Sequence, residues 1–214
     1  EATAWANKAL AVGEKVQNHA AIATALSMKG SFLTDTGRID EGLPLWQRAF
    51  DLSLQYEEYE DALRSLSNLS NYTFQRDLAK SRELAVRHLE LSKRLNHVWF
   101  EGVALERLSI IDWYSGDWKV GLEELQKDSE LVNRLGLSAI LPALALDKGW
   151  YALGLGDLEQ AEMEFQKGRD WLNYEKPKIT DIVLYHLGLG MVKEEQGKEH
   201  EALEHYQTSV DSFR

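Results

Sequence analysis

Apolar and polar residues alternate nowhere along this chain over a length that would make a strand. The pattern sorts instead into helical segments arranged in pairs. First segments are predicted over about 20–35, 59–74, 99–114, 140–154 and 179–195. Second segments are predicted over about 39–55, 79–95, 118–134, 158–173 and 199–213. Side-chain chemistry agrees: 33 Leu stand against 17 Val and Ile together, and unbranched Leu keeps its rotamers in a helix where β-branched residues lose theirs. Pro142 falls at a predicted first turn, where its missing N–H costs nothing, and Lys176-Pro177-Lys178 breaks the chain between the fourth and fifth pairs. Pro44 lies about five residues into its segment, which predicts a late start or a bend there.

A repeat organises these pairs. Gly37-Arg38-Ile39-Asp40-Glu41-Gly42 returns as Gly116-Asp117-Trp118-Lys119-Val120-Gly121, Gly156-Asp157-Leu158-Glu159-Gln160-Ala161 and Gly197-Lys198-Glu199-His200-Glu201-Ala202. Arg76-Asp77-Leu78-Ala79-Lys80-Ser81 keeps the pattern without the glycine, so the copies start at 37, 76, 116, 156 and 197. The leading Gly suits a helix C′ position with positive φ, and Asp117 and Asp157 suit the cap of the following helix. Five residues on sits a small side chain (Gly42, Ser81, Gly121, Ala161, Ala202), and nine on sits Trp46, Ala85, Leu125, Phe165 or Tyr206. Seven before sits Gly30, Ser109, Gly149 or Gly190; the second copy offers Ser70 only if its turn is one residue shorter. Small side chains opposite large ones are what closely packed antiparallel helices need.

These positions resemble the tetratricopeptide repeat, most fully in Gly30, Gly37, Ile39, Gly42, Trp46 and Ala49, and again in Gly149, Gly156, Leu158, Ala161 and Phe165. The period of about 40 exceeds the 34 of that family by roughly one and a half helical turns. Charged Glu199, Asp112 and Lys193 occupy slots where it is apolar. The long variant is similar to the helical-repeat segments of bacterial signalling ATPases and maltose-regulator-type transcription regulators, and Arg134-Leu135-Gly136-Leu137 before a new helix has their character. The resemblance implies an α-solenoid of about five and a half antiparallel pairs, right-handed, with the first helix of each pair lining the inner side. Counting back one period from Gly42, Trp46 and Ala49 lands on Ala2, Ala6 and Ala9, so the chain is expected to open inside the second helix of an earlier pair. The expected division is one domain over 1–214, cut from a longer chain, with repeats at about 1–17 (partial), 20–55, 59–95, 99–134, 140–173 and 179–213.

Composition narrows the function. With 24 Lys and Arg against 35 Asp and Glu the chain carries a formal −11, which disfavours a phosphate backbone, so no nucleic acid is expected as partner. No stretch approaches the roughly 18 apolar residues of a membrane span, so no membrane partner is expected. The absence of Cys removes thiolate chemistry and fits a reducing, cytoplasmic setting. His200 and His205 are five apart, which turns the second imidazole about 140° from the first; i,i+4 pairing of His200 with Glu204 and of Glu201 with His205 explains them better than a metal. His19, His88, His97 and His186 have no triad partner at a telling spacing and read as structural. Gly154-Leu155-Gly156 and Gly188-Leu189-Gly190 lack the third glycine and the strand of a dinucleotide loop and read as helix packing. Asn68-Leu69-Ser70 and Asn71-Tyr72-Thr73 match the glycosylation triplet but fall inside a predicted helix. The expectation is therefore no enzyme, no metal and no cofactor.

What remains is a binding role. Residues spaced i, i+3, i+7 and i+10 on each first helix form the expected inner face. They are Thr24, Ser27, Ser31 and Thr34, then Arg64, Ser67, Asn71 and Phe74 with the shorter turn, then Val103, Glu106, Ile110 and Trp113. Ala143, Leu146, Trp150 and Leu153 follow, and Leu184, Leu187, Met191 and Glu194 complete the series. The face changes from hydroxyl-rich to apolar between the second and third pairs. Trp46 and Trp118 fall at packing positions and read as core, whereas Trp113 and Trp150 do not. Ile110, Trp113, Tyr114, Leu146, Trp150, Leu153, Leu187 and Met191 are the expected binding residues for a protein or peptide. Two alternatives stay open: a small-molecule effector site controlling an attached ATPase or DNA-binding domain, or apolar slots that pack only against one another.

Overall fold

The structure is a computed structural model that describes residues 2–137, 141–169 and 179–212. Eleven helices follow one another: α1 (Ala2–Lys15), α2 (His19–Asp35), α3 (Ile39–Gln55), α4 (Tyr59–Thr73), α5 (Leu78–Arg94), α6 (Val98–Ser115), α7 (Trp118–Arg134), α8 (Leu141–Gly154), α9 (Leu158–Gly168), α10 (Ile179–Glu195) and α11 (Glu199–Asp211). Among the described residues there is no strand. The fold is an all-α solenoid of antiparallel pairs, and each predicted segment has its helix. The break at Pro177 and residues 170–173 of the predicted fourth pair lie outside the described residues.

The turn inside each pair is set by its glycine. Gly37, Gly116, Gly156 and Gly197 have φ between +73° and +82°, and the next residue's N–H reaches back five residues, as Arg38 to the Leu33 carbonyl (2.8 Å) and Asp157 to that of Ala152 (2.9 Å). The copy without glycine turns differently: Asp77 N–H reaches back only four residues, to Thr73. That shorter turn brings Ser70 opposite Ser81, whose hydroxyls bond each other's carbonyls at 2.7 and 3.0 Å. Small faces large elsewhere. A Cβ on Gly30 would sit 3.1 Å from the Trp46 indole nitrogen, one on Gly149 2.8 Å from the Phe165 ring, and one on Gly190 against Tyr206.

Three expectations are corrected. Asp117 makes no side-chain cap, because its backbone (ψ 46°) does not aim the carboxylate at the first turn. Asp157, Asp77 and Asn18, with ψ of 81°, 94° and 98°, do cap their helices. Pro44 does not delay the start of α3, which begins at Ile39 and runs through it. The helical bond Pro44 cannot donate would have gone to the carbonyl of Asp40, an exposed first-turn residue that water can satisfy. Trp118 is half-buried rather than core, for a reason given below.

The described residues fall into two compact units, Glu1–Ile111 and Asp112–Arg214. The core of the first is centred on Trp46, Phe50, Leu63 and Leu66, all fully buried, with Leu84, Leu91 and Phe100 around them. The second has two clusters. Leu125, Val132, Leu144 and Tyr151 form one, and Phe165, Tyr185, Leu189 and Val192 form the other. Lys193, in a slot the repeat reserves for an apolar residue, is buried on ion pairs to Glu162 (2.6 Å) and Glu201 (3.4 Å).

Candidate functional site

In the second unit the sequence assembles an aromatic cleft from one repeated piece of chain. Trp113 stands three residues before Gly116 and Trp118 two residues after it. The left-handed glycine reverses the chain so sharply that the Trp118 ring folds back over Trp113, with centroids 5.5 Å apart and planes at 25°. The Trp118 indole N–H donates to the Trp113 carbonyl at 3.0 Å, which uses the polar edge and leaves ring surface outward. Tyr151 closes the other side of Trp113 edge-on at 5.1 Å. Its phenol is pushed above the ordinary tyrosine range by burial and stays protonated.

One period later the same positions carry Leu153 and Leu158, on either side of Gly156. Gly154 makes room here, since a Cβ would lie 3.0 Å from the Trp118 ring and press on it. Trp150 meets the buried Phe165 edge-on, centroids 5.7 Å apart. Trp113, Trp118, Trp150, Leu153 and Leu158, with Met191 and Glu195 of α10, line a cleft of about 430 Å³. It lies at the turn ends of three successive pairs, where α6, α8 and α10 finish and α7 and α9 begin. No Lys or Arg lines it, and Glu195 makes no ion pair or hydrogen bond among the described residues.

Of the eight expected binding residues, Trp113, Trp150, Leu153 and Met191 come together in this cleft. Leu146 does not: it is buried in the cluster with Phe165 and Leu189, because its slot turns inward. Tyr114 (68% exposed) and Leu187 (37%) are on the surface outside the cleft lining. Ile110 is half-buried and belongs to the first unit. Sequence reasoning missed Trp118 and Glu195. Trp118 had the look of a packing residue, but its place directly after the turn was the available signal.

The other polar groups offer less chemistry. His200 pairs with Glu204 at 3.5 Å as the spacing predicts, but His205 meets His186 instead of Glu201, Nδ1 to Nδ1 at 3.0 Å. Burial holds both of those imidazoles below the ordinary histidine range, with His205 further disfavouring charge on His186 and Lys193 disfavouring it on His205. Among the described residues no group of three or more His, Cys, Asp or Glu is placed to hold a metal ion, and no helix is long and apolar enough to cross a membrane.

No family model and no curated protein matches the chain. Solved structures do. BtubC (BKLC) from P. vanneervenii is 14% identical with a TM-score of 0.84, covering 99% of this chain and 89% of its own. The apo form of RapI is 14% identical (TM-score 0.68), with 99% of this chain and 76% of its own covered. Aspartyl phosphate phosphatase F from Bacillus subtilis is 13% identical (TM-score 0.70), with 99% and 54% covered. At such identity the likeness is one of fold, a tetratricopeptide-like helical repeat, and carries no activity with it.

Proposed function

We propose that this chain is a non-catalytic protein- or peptide-binding scaffold or sensor, working in the cytoplasm as one domain of a larger signalling or regulatory protein. The observation that carries the reading is the convergence of Trp113, Trp150, Leu153 and Met191 on one apolar cleft. Four of the eight expected binding residues meet there, joined by Trp118. Tryptophan and methionine are enriched where partners bind, and a few aromatic anchors dominate such energies. The parent-protein role rests on the resemblance to long-repeat regulators.

The small-molecule effector reading draws on the cleft's volume, which lies at the low end of ligand pockets, roughly 300–1,000 Å³. The peptide reading is favoured by access, since Met191 is 39% exposed at the cleft. Panning a random peptide library on the immobilised chain tests it. Selected peptides are expected to shift indole emission on binding and to lose about tenfold or more in affinity to Met191→Lys, which places a charge in the apolar lining. Peptides that bind Met191→Lys and the parent chain alike would overturn the assignment.

A further inference from the structure

The cleft has a polarity that apolar recognition alone does not use. Three indoles, a thioether and two leucines surround it, and its single ionisable lining group is the carboxylate of Glu195, the last residue of α10. That carboxylate is exposed and free of ion pairs among the described residues. The indole N–H groups of Trp113 and Trp150 make no hydrogen bond among the described residues either. The surrounding charge is one-sided. Residues 1–111 carry 13 Lys and Arg against 15 Asp and Glu, whereas residues 112–214 carry 11 against 20, so the second unit holds −9 of the −11.

From this we infer that the cleft takes a Lys or Arg side chain presented by a basic segment of a partner protein, an inference that rests on the peptide-binding reading above. An aromatic face attracts a cation through its quadrupole, with indole the strongest of the rings, and the attraction grows when water is excluded. A free carboxylate beside the rings supplies the counter-charge, and the methylene stem of Lys or Arg covers apolar surface while the head reaches the acid. A volume of about 430 Å³ suits roughly one or two side chains rather than a folded surface. The excess negative charge of the unit draws a basic segment in and turns an acidic one away. Glutamate and aspartate side chains are excluded by the same charges.

The test uses three synthetic dodecapeptides of alternating Leu and X, with X as Lys, Gln or Glu, titrated against the full chain at 150 mM salt with indole emission as the readout. The Lys peptide is expected to bind about tenfold or more tightly than the Gln peptide, and the Glu peptide not to bind. Glu195→Gln, an exposed position where folding is not at stake, should weaken the Lys peptide about tenfold. Glu159→Gln, which removes an equal charge outside the cleft, should change it less than twofold. Equal affinity for the Lys and Gln peptides, unmoved by Glu195→Gln, would overturn the cation inference while leaving peptide binding in the cleft intact. Lys-peptide binding unaffected by Met191→Lys would overturn both. Free tetramethylammonium binding as tightly as the peptide would overturn the peptide occupant and return the cleft to the effector reading.

Discussion

The two units are built on one repeat and spend the same slots differently. In the first unit the slot hydroxyls are turned back into the protein: Ser31 Oγ bonds the Ser27 carbonyl (3.1 Å), Thr34 Oγ1 those of Gly30 and Ser31 (3.0 and 2.8 Å), and Thr24 Oγ1 the Asp61 carboxylate (3.1 Å). Of its three tryptophans Trp46 is wholly buried, with its N–H on the Ser27 carbonyl at 3.0 Å, while Trp5 and Trp99 are exposed. In the second unit the corresponding slots carry Trp113, Trp150, Leu153 and Met191, and their surface opens into a cleft. The repeat fixes where the backbone goes; slot chemistry decides whether a unit closes over its own side chains or leaves an apolar cleft. Tryptophan count alone does not separate these roles. What separates them is how far the ring is covered: Trp46, with Gly30 opposite, is wholly buried, whereas Trp118, with Gly154 opposite, keeps ring surface at the cleft.

The largest effect follows from that distinction. Trp46→Ala removes a fully buried indole together with its N–H bond to the Ser27 carbonyl, so it should destabilise the first unit by about 3–5 kcal/mol. Met191→Ala, at an exposed slot of the second unit, should cost less than about 1 kcal/mol. Urea unfolding followed by circular dichroism measures both. Comparable losses would mean that the cleft residues are core after all. Trp150→Ala is the poorer probe of binding, because its edge-on contact with Phe165 mixes packing with recognition.

Acid should sharpen the contrast next. His88 in the first unit is buried among apolar groups, edge-on to Phe100, and burial with repulsion from His97 pushes it down to about 4. An unfolded histidine titrates near 6.5, so between these values the unfolded chain binds the proton and the folded chain does not. Stability is therefore full above about pH 6.5 and falls as the pH drops toward 4, by about 2–3 kcal/mol between pH 7 and 4.5. His186 and His205 add a loss of the same sign from the second unit, being held down as well. Urea midpoints across that range should fall less steeply in His88→Leu; an unchanged slope would mean that His88 charges freely in the folded state.

How much of this the sequence disclosed depends on whether a constraint leaves a mark in residue type. Turn glycines at 37, 116, 156 and 197 marked the period and hence nearly every helix, because only Gly meets that φ without strain. Four of the cleft residues were legible from slot spacing. Glu195 was not, since an acid at a helix end usually faces water and only the fold brings it beside three indoles. Leu146 misled for the opposite reason: the slot count ignored a rotation that turns it into the core. The caps were half legible. Asp, Asn and Ser announce a cap, but ψ decides whether Asp117 performs it.

A second series of turns left little mark in the sequence beyond Gly136, and it yields the smallest prediction. Between one pair and the next the chain passes through positive φ at Gln17 (53°), Glu57 (60°), Asn96 (53°) and Gly136 (68°). The spacing is again one repeat, yet only the turn in the second unit has the glycine that betrays it. In each case the following N–H reaches back five residues, as Glu58 to Ser53 at 2.8 Å and Leu137 to Val132 at 3.1 Å, so the backbone demand is the same. A side chain in this conformation costs about 1 kcal/mol, with Asn96 the most tolerant of the three. Glycine relieves that strain but loses more chain entropy on folding, which leaves a smaller net gain. Glu57→Gly should therefore raise stability by about 0.5 kcal/mol, whereas Gly136→Ala should lower it by about 1 kcal/mol. No atom stands within 4 Å of the added Cβ at Gly136, so the loss contains no steric clash and measures backbone strain less the gain in chain entropy. Urea midpoints of the two variants should move in opposite directions. Movement in the same direction would show that the two units do not make the same demand at this turn, and that the repeat is less regular between pairs than within them.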